Sequence, residues 1–114
     1  MPHFVVDCSK SVAAIHDGQS IAKQVHSAAN STGLFSEANI QVRINFYDDY
    51  SVGNVKEDFI HVFAHILEGR TAEQKLELTQ TVIKQLAEMF PQVATIGIDI
   101  KDLEKGTGFS KNKL

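Results

Sequence analysis

The sequence holds a single cysteine, Cys8, so no disulfide can form within the chain. That scarcity fits a reducing compartment. No block of Lys or Arg is present: 11 basic residues are scattered against 14 acidic ones, for a formal net charge of −3. A mildly acidic chain without a basic run offers no electrostatic footprint for nucleic acid or for an anionic membrane. No apolar stretch approaches the roughly 18–20 residues that a membrane-crossing helix needs. The opening Met1-Pro2-His3-Phe4-Val5-Val6-Asp7 lacks the basic n-region of a secretory signal, so a cytoplasmic location is expected. A phosphate-cradling glycine loop is missing too. Gly106-Thr107-Gly108 has neither the strand–loop–helix setting nor the Lys-Ser/Thr pair that gives such a loop its function.

What is present is globular composition: 114 residues, 43% apolar and 22% charged. This is enough for one domain over residues 1–114, and too short for two. Strand and helix patterns alternate, and the alternation occurs twice. His3-Phe4-Val5-Val6-Asp7-Cys8 is β-branched and aromatic, a strand ending at Ser9-Lys10-Ser11. Ile21, Ala22, Val25, Ala28 and Ala29 then form one apolar helical stripe, with Asp17 as N-cap and Gly33 just past the C-terminus. From Ala38 to Tyr47 the alternation is that of a strand, with Ile40, Val42, Ile44 and Phe46 on one face and Gln41, Arg43, Asn45 and Tyr47 on the other.

After a turn-rich connection from Asp48 to Asn54 the pattern restarts. Phe59 to Leu67 is almost continuously apolar, as in a strand covered on both faces. Thr71-Ala72-Glu73-Gln74 is a capping-box sequence, and the helix it opens is expected to bury Leu76, Val82, Ile83, Leu86 and Phe90 before Pro91 stops it. Val93 to Ile100 gives the last strand, with Ile96, Ile98 and Ile100 on one face. The tail over residues 102–114 is Gly- and Lys-rich, with Phe109 as an apolar anchor.

The order is β-α-β, a linker, then β-α-β, in halves of roughly residues 2–47 and 57–101. The expected fold is α+β: a tandem duplication giving a four-stranded mixed sheet with two helices on one face. The opposite face lacks a covering layer although the third strand is apolar on both sides, which predicts self-association through the sheet. The same element order also describes the antiparallel ferredoxin-like fold, and with it a non-catalytic ligand-binding or regulatory module.

Five histidines invite a metal reading. His61 and His65 share a strand face, but four residues at about 3.3 Å each set them on the order of 13 Å apart, too far for one ion. His3, His16 and His26 show no ligand spacing with Cys8 or an acidic residue. No metal is expected. Cys8 follows Asp7, whose charge raises a thiol pKa, so it reads as a small packed residue rather than a nucleophile.

Pro2 is different. A proline can open a strand because the first residue need not donate to the ladder. A methionine before so small a residue is ordinarily removed in cells, and Pro2 would then be a secondary amine at the end of a strand. An α-amino group titrates near 7.7–8 in model peptides, and desolvation or a nearby cation lowers that further, towards a base usable at neutral pH.

The start Pro2-His3-Phe4-Val5-Val6-Asp7-Cys8-Ser9 resembles that of the 5-carboxymethyl-2-hydroxymuconate isomerase family, in the tautomerase superfamily. The similarity continues through Thr32 to Phe35, Ile40 to Phe46, Phe59 to Val62, Gly69-Arg70 and Ile98 to Ile100. The resemblance implies a duplicated β-α-β fold, a homotrimer whose sheets face one another, and a cofactor-independent keto–enol isomerase. Its substrate would be a small anionic one, an unsaturated 2-hydroxy or 2-oxo dicarboxylate from aromatic-compound degradation. It assigns the base to Pro2 and substrate binding to Arg70 and Arg43. Where the family pattern has a second arginine, two residues before Arg43, this chain has Gln41. Guanidinium groups suit the task because each can grip a carboxylate through two parallel hydrogen bonds.

Overall fold

Alternating apolar residues set the strands, and the computed structural model, which describes residues 1–114, shows four of them. The elements are β1 (His3–Ser9), α1 (Gly18–Ser31), β2 (Gln41–Tyr47), β3 (Phe59–Leu67), α2 (Ala72–Met89) and β4 (Thr95–Leu103). Short 3-10 turns cover Lys10–Ala14, Glu37–Asn39 and Lys111–Lys113. The turn at Glu37–Asn39 delays the second strand to Gln41, so the extended stretch expected from Ala38 is shorter at its start.

Both helix starts are built by local side chains. The Asp17 carboxylate accepts from the Ser20 N–H at 2.8 Å. At α2 the reciprocal box is complete: the Gln74 N–H donates to the Thr71 hydroxyl at 3.1 Å, and the Thr71 N–H donates to Gln74 Oε1 at 2.9 Å. Gly33 takes a φ of +72° after α1, the left-handed conformation that glycine adopts without strain.

The sheet order is β2-β1-β3-β4. β1 runs parallel to β2 and β3 parallel to β4, while β1 and β3 are antiparallel. Each helix therefore joins neighbouring parallel strands. A ferredoxin-like sheet is antiparallel and its crossovers skip a strand, so that alternative does not describe this chain.

Phe4, Val6 and Cys8 on β1 and Ile60, Val62, Ala64 and Ile66 on β3 are buried under both helices in one core. α1 contributes Ile21, Val25, Ala28 and Ala29. α2 contributes Leu78, Val82 and Leu86. The expected Leu76 is instead 57% exposed. Position 78 is one i, i+4 step before Val82, whereas 76 lies six residues back, about 240° around the helix from it. Ile83 is half-buried, and Phe90 is fully buried at the helix end.

The other sheet face carries no layer from this chain. Its residues line up across the strands as Gln41–His3–His65–Lys101, then Arg43–Val5–Phe63–Asp99, then Asn45–Asp7–His61–Gly97. Val5, Phe63 and the three histidines in these rows are half-buried. No helix is long and apolar enough to cross a membrane.

Candidate active site

The candidate site lies where β1 begins. Pro2 is buried, and its carbonyl accepts from the Gln41 N–H at 3.1 Å, the first rung between the amino-terminal segment and β2. Met1 is exposed, and its ammonium donates to the Asn39 carbonyl at 3.3 Å. A hollow of about 420 Å³ opens beside it, lined among others by Met1, His3, Arg43, His65, Leu103 and Glu104. A second hollow of about 510 Å³ shares Met1, Leu67 and Glu104 with the first, and extends to Lys105, Phe109 and Lys113 of the tail. The chain terminus thus stands where the two meet. Pro2 lines neither hollow, but the residue bonded to its nitrogen lines both.

Arg43 reaches this hollow because its place on β2 sets it on the open sheet face, opposite Val5 and diagonal to His3. Its Nη1 donates to Gln41 Oε1 at 3.3 Å, and its Nη2 donates to His3 Nδ1 at 3.2 Å. Gln41 and Arg43 are therefore brought together on one edge, with the guanidinium half-held by two neutral acceptors. Burial first, then the charges of Arg43, the chain terminus and His65, hold His3 below the ordinary imidazole range.

Arg70 sits elsewhere. Its Nη2 donates to the Leu34 carbonyl at 2.7 Å and its Nη1 to the Leu67 carbonyl at 3.3 Å, with the guanidinium carbon 5.1 Å from the Phe35 ring centre. It lines a separate hollow with Gly33, Glu68 and Gln74. That hollow approaches the terminus only through Leu67 and Lys105, which it shares with the second one.

His3 and His65, weighed in the sequence only as metal ligands, also line the hollow, as does Glu104, which carried no sequence signal. His3 carried a signal, since it lies beside Pro2 and one strand step from Val5; the place of His65 depends on its antiparallel pairing with His3. Phe109, expected to anchor the tail, is 69% exposed within this chain. His61 lies away from the terminus, with Nε2 3.0 Å from Asp99 Oδ2. Cys8 is fully buried, and burial, with a smaller push from Asp7, raises its pKa to about 12. At neutral pH such a sulfur is no nucleophile.

The duplicated β-α-β sheet has the fold of the tautomerase-superfamily structures on which it superposes. A crystal structure of a 5-carboxymethyl-2-hydroxymuconate isomerase from Deinococcus radiodurans R1 superposes with a TM-score of 0.82 at 17% identity, over 96% of this chain and 88% of that one. A fused 4-OT wild-type symmetric trimer superposes with a TM-score of 0.76 at 17% identity, over 95% of this chain and 94% of that one. The 5-carboxymethyl-2-hydroxymuconate Delta-isomerase of Escherichia coli is 23% identical over 121 residues, spanning 100% of this chain and 96% of that protein. The family model for 5-carboxymethyl-2-hydroxymuconate isomerase matches residues 2–112, and the chain belongs to that family. It is an isomerase of the tautomerase kind.

Proposed function

We propose that the chain interconverts enol and keto forms of a small unsaturated 2-hydroxy or 2-oxo dicarboxylate, of the kind formed when aromatic rings are degraded. Pro2 is the base, once Met1 has been removed. The observation that carries this reading is that Met1, which caps the Pro2 nitrogen, and Arg43 line one hollow. Loss of Met1 converts an amide into a secondary amine at the edge of that hollow. A cation in the same space favours the neutral amine over its protonated form.

The amine takes the enol O–H proton while the C=O bond forms, and delivers a proton to a carbon of the conjugated system. The net change is an isomerisation in which nothing is gained or lost. Arg43 has five N–H donors and spends two on Gln41 and His3, so three remain for a carboxylate and for oxyanion charge in the transition state. Gln41 places a neutral amide where the family pattern has a charge, favouring a substrate with one fewer anionic contact there. Arg70 keeps its assignment to anion binding on the family pattern alone, since its bonds within one chain go to Leu34 and Leu67.

The enzyme acts as a homotrimer that covers the open sheet face. The half-buried Val5 and Phe63 on that face, and the trimeric assembly of the fused 4-OT structure, support this. A cytoplasmic setting agrees with a lone, buried thiol. Its partner is the small anion; neither nucleic acid nor a membrane enters the reading.

The test is the enol-to-ketone rate with a 2-hydroxymuconate-type substrate, on protein whose amino terminus has been verified by intact mass. Pro2→Ala should slow ketonisation by at least about ten- to a hundredfold, since a positioned base contributes about a hundredfold or more. Chain that retains Met1 should be inactive. An unchanged rate in either removes Pro2 from the mechanism.

A further inference from the structure

Arg43 stands on β2, which lies at one edge of the sheet. A long flexible side chain in that position has many rotamers open to it, and only some point over the hollow. Two acceptors limit that freedom: Gln41 Oε1 at 3.3 Å from Nη1, and His3 Nδ1 at 3.2 Å from Nη2. The first is two residues away on the same strand. The second comes from β1, 40 residues earlier in the chain, so it ties the guanidinium to the strand that begins at the proposed base.

The chemistry of the pair fixes the state of the imidazole. A guanidinium has no acceptor and does not release its proton in proteins, so His3 Nδ1 must supply the lone pair. The ring is then neutral, with its hydrogen on Nε2. The surroundings agree. Arg43 on β2, His65 on β3 and, next in the same row, Lys101 on β4 share the face of His3, and loss of Met1 leaves the terminal amine on the adjoining Pro2; Glu104 is the one acid lining the hollow. A further positive charge on His3 is disfavoured there.

We infer that His3 is a positioning residue: its neutral imidazole, accepting through Nδ1, holds the Arg43 guanidinium over the hollow at the start of β1, ready to take a substrate carboxylate. The consequence for substrate binding rests on the proposed isomerase reading; the His3–Arg43 coupling itself does not. His3 touches neither the reacting carbon nor the migrating proton in this scheme. Its effect passes through Arg43, by restricting that side chain before the anion arrives.

Two variants separate an acceptor from mere bulk. His3→Asn puts a carboxamide oxygen near the place of Nδ1, whereas His3→Leu fills the space without an acceptor. His3 is half-buried on the open sheet face, outside the core cluster, so neither variant should unfold the chain. The first measurement is nitrogen-15 NMR of the Arg43 guanidinium in the full, Met1-processed chain. Restricted rotation in the wild type should be lost in His3→Leu and kept in His3→Asn. Equal mobility in all three overturns the inference, whatever the enzyme proves to catalyse. The second measurement is steady-state kinetics with the enol dicarboxylate, checked by calorimetric binding of a saturated six-carbon dicarboxylate. His3→Leu should raise KM and the dissociation constant about tenfold, with any fall in kcat smaller than the rise in KM, and His3→Asn should restore both. A fall in kcat at constant KM, or a failed rescue by asparagine, sinks the positioning role. If the wild type turns over no such dicarboxylate, the isomerase assignment fails, while the NMR result still decides the coupling of His3 to Arg43.

Discussion

The Arg70 guanidinium is bonded to the Leu34 carbonyl at 2.7 Å, which ties the segment after α1 to the turn that opens α2. The Leu67 carbonyl takes a second donor, and the Phe35 ring lies against the cation. A positive charge just before a helix N-terminus is opposed by the helix dipole, so these acceptors account for its presence there. Arg70→Ala should lower stability by about 2 kcal/mol, the scale of hydrogen bonds made by a charged group. Urea denaturation reads that loss. An additional role in anion binding should raise KM for a dicarboxylate more than for a monocarboxylate, and equal effects on the two reject it.

His61 lies across Gly97 on the neighbouring strand: a Cβ at position 97 would come within 3.1 Å of its Nδ1. Any side chain there presses on the ring, which would have to shift by a few tenths of an ångström from its contact with Asp99. Gly97→Val should displace His61 into the space above the open face. Valine suits an edge strand, so the monomer fold should persist. Sedimentation should show weakened self-association, and an unaltered oligomer would place the assembly surface away from β4.

Cys8 should resist alkylation in the native state. With a pKa of about 12 and no exposed surface, its thiolate is about one part in ten thousand at pH 8. A thiol-reactive dye should react only as fast as the chain unfolds. Rapid labelling in native buffer would contradict its burial.

Stability should decline on mild acidification. His3 is held below the ordinary imidazole range when folded, so the unfolded chain binds its proton first as pH falls. The contribution is complete above an unfolded pKa of about 6.5 and is lost as pH falls through the folded value. Asp17, held below the usual carboxylate range chiefly by the Ser20 N–H, adds a second loss at lower pH. Denaturation midpoints across pH should show the first step in the wild type and not in His3→Asn. A step of equal size in both would assign it to other groups.

Much of the fold was legible locally. The Thr71–Gln74 box, the Asp17 cap and the positive φ of Gly33 depend on residues a few positions apart, and each stands where the local pattern put it. Errors arose where periodicity had to be phased against a partner. Leu76 and Leu78 both fit an apolar helix, and contact with the sheet selects the second. The last strand begins at Thr95 and runs to Leu103, past the expected end, because pairing with β3 continues through Leu67.

The sequence by itself determined the alternation of strands and helices, the unusual proline at the start, and the lack of basic, cysteine-rich or membrane-spanning segments. These follow from composition and from interactions within one or two turns of chain. Tertiary structure alone decided that Arg43 and His3 meet at the terminus, that Arg70 is occupied by two carbonyls, and that the tail forms the wall of a second hollow. Apart from the Arg70–Leu67 bond, which spans three positions, those contacts join residues dozens of positions apart, and the alternation within one strand does not say which strand it will pair with.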